Sequence, residues 1–163
     1  MFEYPENNQH QKPIDILLVE DNEADIKITI RTFKKSRLAN RLFVVRDGQE
    51  ALDYIFLQGH YQDRTAFPLP DLILLDINMP KVNGFQVLEN LKRNEEFKYI
   101  PVVILTTSQQ EEDIAKSYAT GACSFISKPI GYEEFTKKIE AFNYYWQIVN
   151  ILPPKKDSFH TVL

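Results

Sequence analysis

The chain has 163 residues, enough for one domain with a substantial core, and its hydrophobic share of 44% and charged share of 26% exclude wholesale disorder. A net charge of −4 leaves no basic footprint for nucleic acid, and a lone cysteine, Cys123, excludes an internal disulfide framework. The single cysteine suits a reducing cytoplasm; no stretch approaches the roughly 18 apolar residues of a membrane span, and the polar start from Met1 to His10 lacks the order of a signal peptide.

Residues 1–12 read as a flexible N-terminal arm, 13–152 as the folded domain and 153–163 as a C-terminal tail. The first strand is expected over 14–19, followed at once by Glu20-Asp21-Asn22-Glu23. Asp21 or Asn22 suits the cap of a helix to about Ser36, with Ile26, Ile30 and Phe33 facing inward. Arg31, Lys34, Lys35 and Arg37 crowd its last turns, where positive charge complements the helix dipole. A second strand over 42–45 precedes Asp47-Gly48-Gln49-Glu50, a capping-box pattern, and a helix carrying Ala51, Leu52, Ile55 and Phe56. Residues 58–70, with Gly59, His60, Tyr61, Pro68 and Pro70, form a longer surface loop than a compact βα unit needs.

The next stretch organises the chain. Leu72 to Leu75 is a continuous apolar run bracketed by Asp71 and Asp76, which reads as a strand buried on both faces. Pro80 stops its continuation, and Asn83-Gly84-Phe85-Gln86 opens a third helix with Phe85, Leu88 and Leu91 as its core face. A fourth strand over 101–105 ends in Thr106-Thr107-Ser108. Ser108 to Glu111 is a further capping-box pattern, and its short helix stops at Gly121, a left-handed cap. A fifth strand over 123–127 ends in Lys128-Pro129, with Cys123 expected as a small core residue. The last helix begins near Tyr132, runs through Phe135, Ile139, Phe142, Trp146 and Val149, and ends at Pro153-Pro154.

Strand then helix, five times over, implies an α/β fold: a doubly wound, five-stranded parallel sheet in the order 2-1-3-4-5 with five helices. In that order the ends of strands 1 and 3 meet at the switch point, which brings Glu20 and Asp21 to Asp76. Converging carboxylates raise one another's pKa, and a hard divalent cation such as Mg²⁺ is the usual remedy. Two carboxylates and a backbone carbonyl near Asn78 would suffice. Thr106 and Lys128 end the neighbouring strands on the same edge. A cation, a hydroxyl and an ammonium around one carboxylate suit phosphoryl oxygens, and an aspartate can itself carry an acyl phosphate. The plainer alternatives are that Glu20 and Asp21 only cap the first helix and that Asp76 only ends a strand as a turn residue.

With these residues assembled, the chain resembles the receiver domain of two-component response regulators, the CheY-like fold. The matching pieces are Leu-Leu-Val-Glu20-Asp21, Leu-Leu-Asp76-Ile-Asn78-Met-Pro80-Lys-Val-Asn-Gly84, Ile-Leu-Thr106-Thr107 and Phe125-Ile-Ser-Lys128-Pro129. The resemblance implies that Asp76 accepts a phosphoryl group from a histidine kinase. It implies Mg²⁺ (or Mn²⁺) on Asp21, Asp76 and the main-chain carbonyl of Asn78, with Glu20 acting through water. Thr106 and Lys128 would hold the phosphoryl oxygens, and Thr106 and Phe125 would form the switch. It also implies a cis peptide at Lys128-Pro129. Glu20 replaces the commoner aspartate, and Phe125 replaces the tyrosine of CheY and lacks its hydroxyl. On the same resemblance Asn78 and Ser108, each two residues beyond a site residue, would flank the path of attacking water.

Asp47-Gly-Gln-Glu-Ala-Leu-Asp-Tyr, the extended loop and the aromatic end of the last helix look like stand-alone receivers paired with cyanobacterial and bacterial phytochromes. That likeness implies a single-domain, cytoplasmic regulator whose partner is a phytochrome histidine kinase and whose output is protein–protein contact. Phe142, Tyr144, Tyr145, Trp146, Ile148 and Ile151 wrap more than one face of the last helix. A homodimer is therefore expected, and the resemblance implies that it forms through helix 4, strand 5 and helix 5, the alternative being that the tail covers this face. His10, His60 and His160 form no ligand set. Two other functions compete: a phosphatase of the haloacid-dehalogenase type, which needs an acid where Asn78 stands, and a binding-only receiver that is never phosphorylated.

Overall fold

The computed structural model describes residues 13–35, 40–129, 131–146 and 151–153. Ile14–Val19 (β1), Asn40–Val45 (β2), Leu72–Leu75 (β3), Val102–Thr106 (β4) and Ser124–Ser127 (β5) pair in one parallel sheet in the order β2-β1-β3-β4-β5. Five helices connect and follow them: Glu23–Lys35 (α1), Gly48–Ile55 (α2), Gly84–Arg93 (α3), Glu111–Thr120 (α4) and Tyr132–Tyr144 (α5). The expected arm (1–12) and the tail beyond Pro153 lie outside the described residues, as do Ser36, Arg37, His10, His160, Ile148 and Val149.

The apolar run of β3 is explained by its neighbours. Successive strand side chains point to opposite faces. Leu72 and Leu74 enter a cluster with Ile26 of α1 and Phe135 and Ile139 of α5, while Ile73 and Leu75 enter one with Tyr54, Ile55, Leu88 and Leu91 of α2 and α3. All four are fully buried. A strand between two apolar layers has no polar side to show. Among the described residues no helix is long and apolar enough to cross a membrane.

Helix ends follow local chemistry. Asn22 Oδ1 accepts the Asp25 amide at 3.0 Å, so Asn22 and not Asp21 caps α1. Asp47 accepts the Glu50 amide at 2.8 Å, and Asn83 and Gln86 close a full capping box at α3. Gly121 ends α4 at φ 117°, a conformation that costs a side-chain-bearing residue more than glycine.

Several expectations are corrected. The capping box proposed over Ser108–Glu111 does not form: α4 starts at Glu111, so that residue falls at the first helical position, too early to reach back. Ser108 instead donates its hydroxyl to Asp113 Oδ2 at 2.6 Å. β5 begins at Ser124, leaving Cys123 exposed rather than in the core, its thiol donating to the Val102 carbonyl at 3.3 Å. The Lys128-Pro129 peptide is trans; an X-Pro bond differs little in energy between its isomers, so the dipeptide alone does not choose. In α1 the buried positions are Ile26, Thr29, Thr32 and Phe33, with Ile30 half-buried. The two threonines go inward because their hydroxyls donate to the Asp25 and Ile28 carbonyls, both at 2.8 Å.

The long loop is an ordered insertion with one 3-10 turn, Gly59–Tyr61. Tyr54 donates to the Pro68 carbonyl at 2.9 Å, and its ring meets those of Tyr61 and Phe67. The Arg64 guanidinium donates to the Tyr54 and Ile55 carbonyls at the end of α2. A cation there satisfies orphan carbonyls and complements the dipole.

Candidate functional site

Strand register builds the site. Val19 lies opposite Leu75, so the residues that follow them are level, and the Asp76 amide donates to the Val19 carbonyl at 3.0 Å. Thr106 lies opposite Ser127, and the Lys128 amide donates to the Thr106 carbonyl at 2.7 Å. Four strand ends therefore deliver Glu20, Asp21, Asp76, Thr106 and Lys128 to one rim, as the strand order implies.

Within that rim, carboxylate oxygens of Glu20, Asp21 and Asp76 lie within 4.8 Å of one another. Glu20 and Asp76 are buried and Asp21 is exposed. The set is all oxygen and open on one side, the donor chemistry of a hard divalent cation that keeps several waters. Lys128, itself buried, closes an ion pair on Glu20 and stands 3.5 Å from Asp76 Oδ2.

Burial is the larger cause that drives Glu20 up to about 7 from its usual 4.5, and the charge on Asp76 adds to it; Lys128 and the Asn22 amide pull the other way. Lys128, which burial alone would depress, is carried upward by Asp76 and Glu20 together. The cluster thus carries more negative charge than one ammonium neutralises, and a divalent cation fits that deficit.

Other expected residues take distinct places. The Asn78 amide points at Asp76 Oδ1 at a long 3.4 Å, and its side chain is exposed. Thr106 is fully buried, and its Oγ1 faces the Ser108 amide at 3.4 Å. Phe125 sits opposite Ile104 and is half-buried against the α2–α3 side of the core. His60 is exposed and stacks on Tyr61, with ring centroids 3.9 Å apart, away from the acidic rim.

Gly84 sets how closely α3 approaches the rim. A Cβ there would stand 2.3 Å from the Asp76 carbonyl oxygen and 2.7 Å from Ile77 Cα. The Gly84 amide donates to the Ile77 carbonyl at 2.9 Å, so the bare backbone clamps the loop after Asp76.

Asp25 was not among the expected site residues. Its Oδ2 lies 3.0 Å from Lys128 Nζ. An acid in the first turn of a helix is ordinarily read as complementing the dipole, which hid it.

Comparison with known proteins follows the same lines. Residues 16–140 match the response regulator receiver domain family. The chain is 38% identical over 136 residues to the probable methanogenesis regulatory protein FilR2 of Methanothrix harundinacea, covering 83% of this chain and 85% of that one. It is 35% identical over 147 residues to the response regulator Rcp1 of Synechocystis, covering 90% and 98%. Among solved structures it is similar to the Mn²⁺-bound form of Rcp1 (TM-score 0.82, 37% identity, 87% of this chain and 100% of that one). It is also similar to the phosphorylated cyanobacterial phytochrome response regulator RcpA (TM-score 0.83, 36% identity, 88% and 100%). Sheet order, acidic rim and relatives agree: this chain belongs to the response regulator receiver domain family.

Proposed function

We propose that the chain accepts a phosphoryl group on Asp76 from a histidine kinase, a phytochrome in this case, and signals by protein–protein contact. The observation that carries this reading is the convergence of Glu20, Asp21, Asp76 and Lys128 on one rim. The similarity to the phytochrome response regulator RcpA, whose structure is of the phosphorylated form, supports the choice of donor.

In the forward step an Asp76 carboxylate oxygen attacks phosphorus of a donor phosphohistidine. The P–O bond of an acyl phosphate forms as the P–N bond breaks. The bond's electron pair returns to the imidazole, which takes a proton from solvent. Lys128 and the Thr106 hydroxyl hold phosphoryl oxygens. Mg²⁺ or Mn²⁺, which Asp21, Asp76 and the Asn78 carbonyl would hold with Glu20 nearby through water, supplies positive charge for the same oxygens. Water reverses the mark by breaking the phosphorus–Asp76 bond and releasing phosphate, with Asn78 and Ser108 beside its path.

The mark adds about two negative charges beside Lys128. Thr106 and Phe125 then carry the change outward to α4 and β5. α4 suits movement because Ser117 is the one residue in it that is fully buried, and sparse burial marks segments that shift at low cost. Tyr118 on α4 and Tyr132 and Tyr145 at the two ends of α5 are exposed large aromatics, which favours a second copy of the chain on the α4–β5–α5 face. The protein works in the cytoplasm without nucleic acid.

The test is phosphotransfer to the purified chain from a phytochrome kinase and from acetyl phosphate, with and without Mg²⁺. Label is expected on the wild type only with the cation and is expected to vanish in Asp76→Asn. Persistent label in Asp76→Asn overturns the assignment. Sedimentation with and without fluoroberyllate checks the dimer.

A further inference from the structure

Lys128 is shared between three carboxylates, and the third, Asp25, has no part in the expected metal or phosphoryl set. Its Oδ2 is 3.0 Å from Lys128 Nζ, closer than the 3.5 Å to Asp76. Asp25 reaches the rim because of how α1 begins. With Asn22 as the cap, Asp25 is the third helical residue, where an acid ordinarily turns back to accept the amide of the capping residue. Here that amide donates instead to Glu20 Oε1 at 3.0 Å. The Asp25 carboxylate is released from the cap and points at the ammonium. Its backbone is held on both sides: its amide donates to Asn22 Oδ1, and its carbonyl accepts from the Thr29 hydroxyl.

On the reading of Asp76 as phosphoacceptor, we propose that Asp25 is a positioning residue: it holds the Lys128 ammonium back from Asp76 while the site is unmodified and competes with the phosphoryl group for it. Transfer to Asp76 then requires the Asp25–Lys128 pair to open. Asp25 thus shares with Glu20 the resting position of the lysine and favours the unmodified state. It touches neither the phosphorus nor the metal and acts only through Lys128.

The inference predicts the sign of a substitution. Asp25→Asn keeps the side chain's size and removes its charge. It is expected to tighten Mg²⁺-dependent fluoroberyllate binding roughly three- to tenfold, what a partly exposed ion pair amounts to. It is also expected to lengthen the lifetime of the Asp76 mark by a similar factor. The decisive arm is coupling. In a Lys128→Gln background, with Lys128→Met as a second, Asp25→Asn is expected to change fluoroberyllate affinity by less than about twofold. An unchanged affinity in the single variant overturns the proposal. So does an equal gain with and without the lysine, which would mean that Asp25 acts only as distant negative charge. A wild type that binds no fluoroberyllate with Mg²⁺ instead overturns the phosphoacceptor reading itself, a separate result.

Discussion

The ammonium of Lys128 closes on the carboxylate of Glu20, 108 residues earlier in the chain, and both side chains are shielded from water. Lys128 is the main partner that makes burial of Glu20 tolerable, and Asp76 and Glu20 together do the same for the lysine. Removing the lysine strands Glu20 beside Asp76. Lys128→Met is therefore expected to cost the metal-free protein on the order of 3 kcal/mol at pH 8. The loss should be much smaller near pH 5, where Glu20 takes up a proton. Urea unfolding at the two pH values checks this; equal losses at both would contradict it.

The wild type should show the same chemistry as a pH dependence. With Glu20 raised from 4.5 to about 7, the folded chain keeps a proton that the unfolded chain has released between those values. The folded state binds more protons across that window, so stability falls as pH rises through it. The fall amounts to at most about 3 kcal/mol. Lys128 is shifted upward, so its contribution is complete below the ordinary lysine range and is lost only above it. At the proposed cation site Mg²⁺ would compete with the Glu20 proton, so the stabilisation it gives should grow toward pH 8. Thermal melts from pH 5 to 8 with EDTA and with Mg²⁺ test the slope, and Glu20→Gln should flatten the EDTA profile.

Gly84→Ala tests the clamp behind Asp76. The added carbon meets backbone at 2.3 Å and 2.7 Å, and no side chain can swing away to admit it. A loss of about 2–3 kcal/mol is expected, with weaker Mn²⁺ binding because the loop after Asp76 must move. Denaturant melts and Mn²⁺ titration of the same sample read both. A stable variant with unaltered Mn²⁺ affinity would falsify the close-approach account.

The two helix starts that differ in capping make a paired prediction. Asn83 accepts the Gln86 amide at 3.1 Å, whereas Gln110 makes no side-chain cap bond. Asn83→Ala should cost about 1 kcal/mol, and Gln110→Ala should be neutral within about 0.5 kcal/mol. Equilibrium unfolding of the two variants decides.

These contrasts also show what the residue order can and cannot disclose. β3 was legible because four apolar residues between aspartates admit few other readings. The strand order followed from the alternation of elements, and the acidic rim from the strand order. The start of α3 was legible at Asn83-Gly84-Phe85-Gln86, and Asp47 was legible as a cap because Glu50 stands three positions on. Ser108 carries the same pattern, yet its hydroxyl finds Asp113, a competition between nearby acceptors that spacing cannot rank. Tyr54 and Arg64 were missed because each bonds backbone carbonyls, which every residue possesses and no motif marks. Asp25 was hidden because an acid in a first helical turn has an ordinary explanation, and only the diversion of the Asn22 amide to Glu20 removes it.

The position of Lys128 along the chain has a consequence for biosynthesis. The acids arrive early and in the middle, at Glu20, Asp21 and Asp76, and their cation arrives only with the end of β5. A polypeptide still leaving the ribosome before that point holds the negative groups without their lysine. Their mutual repulsion then opposes closure of the rim between β1 and β3. Closure of the rim is thus deferred until β5 has been made, so a truncated product ending before β5 should be silent rather than partly active.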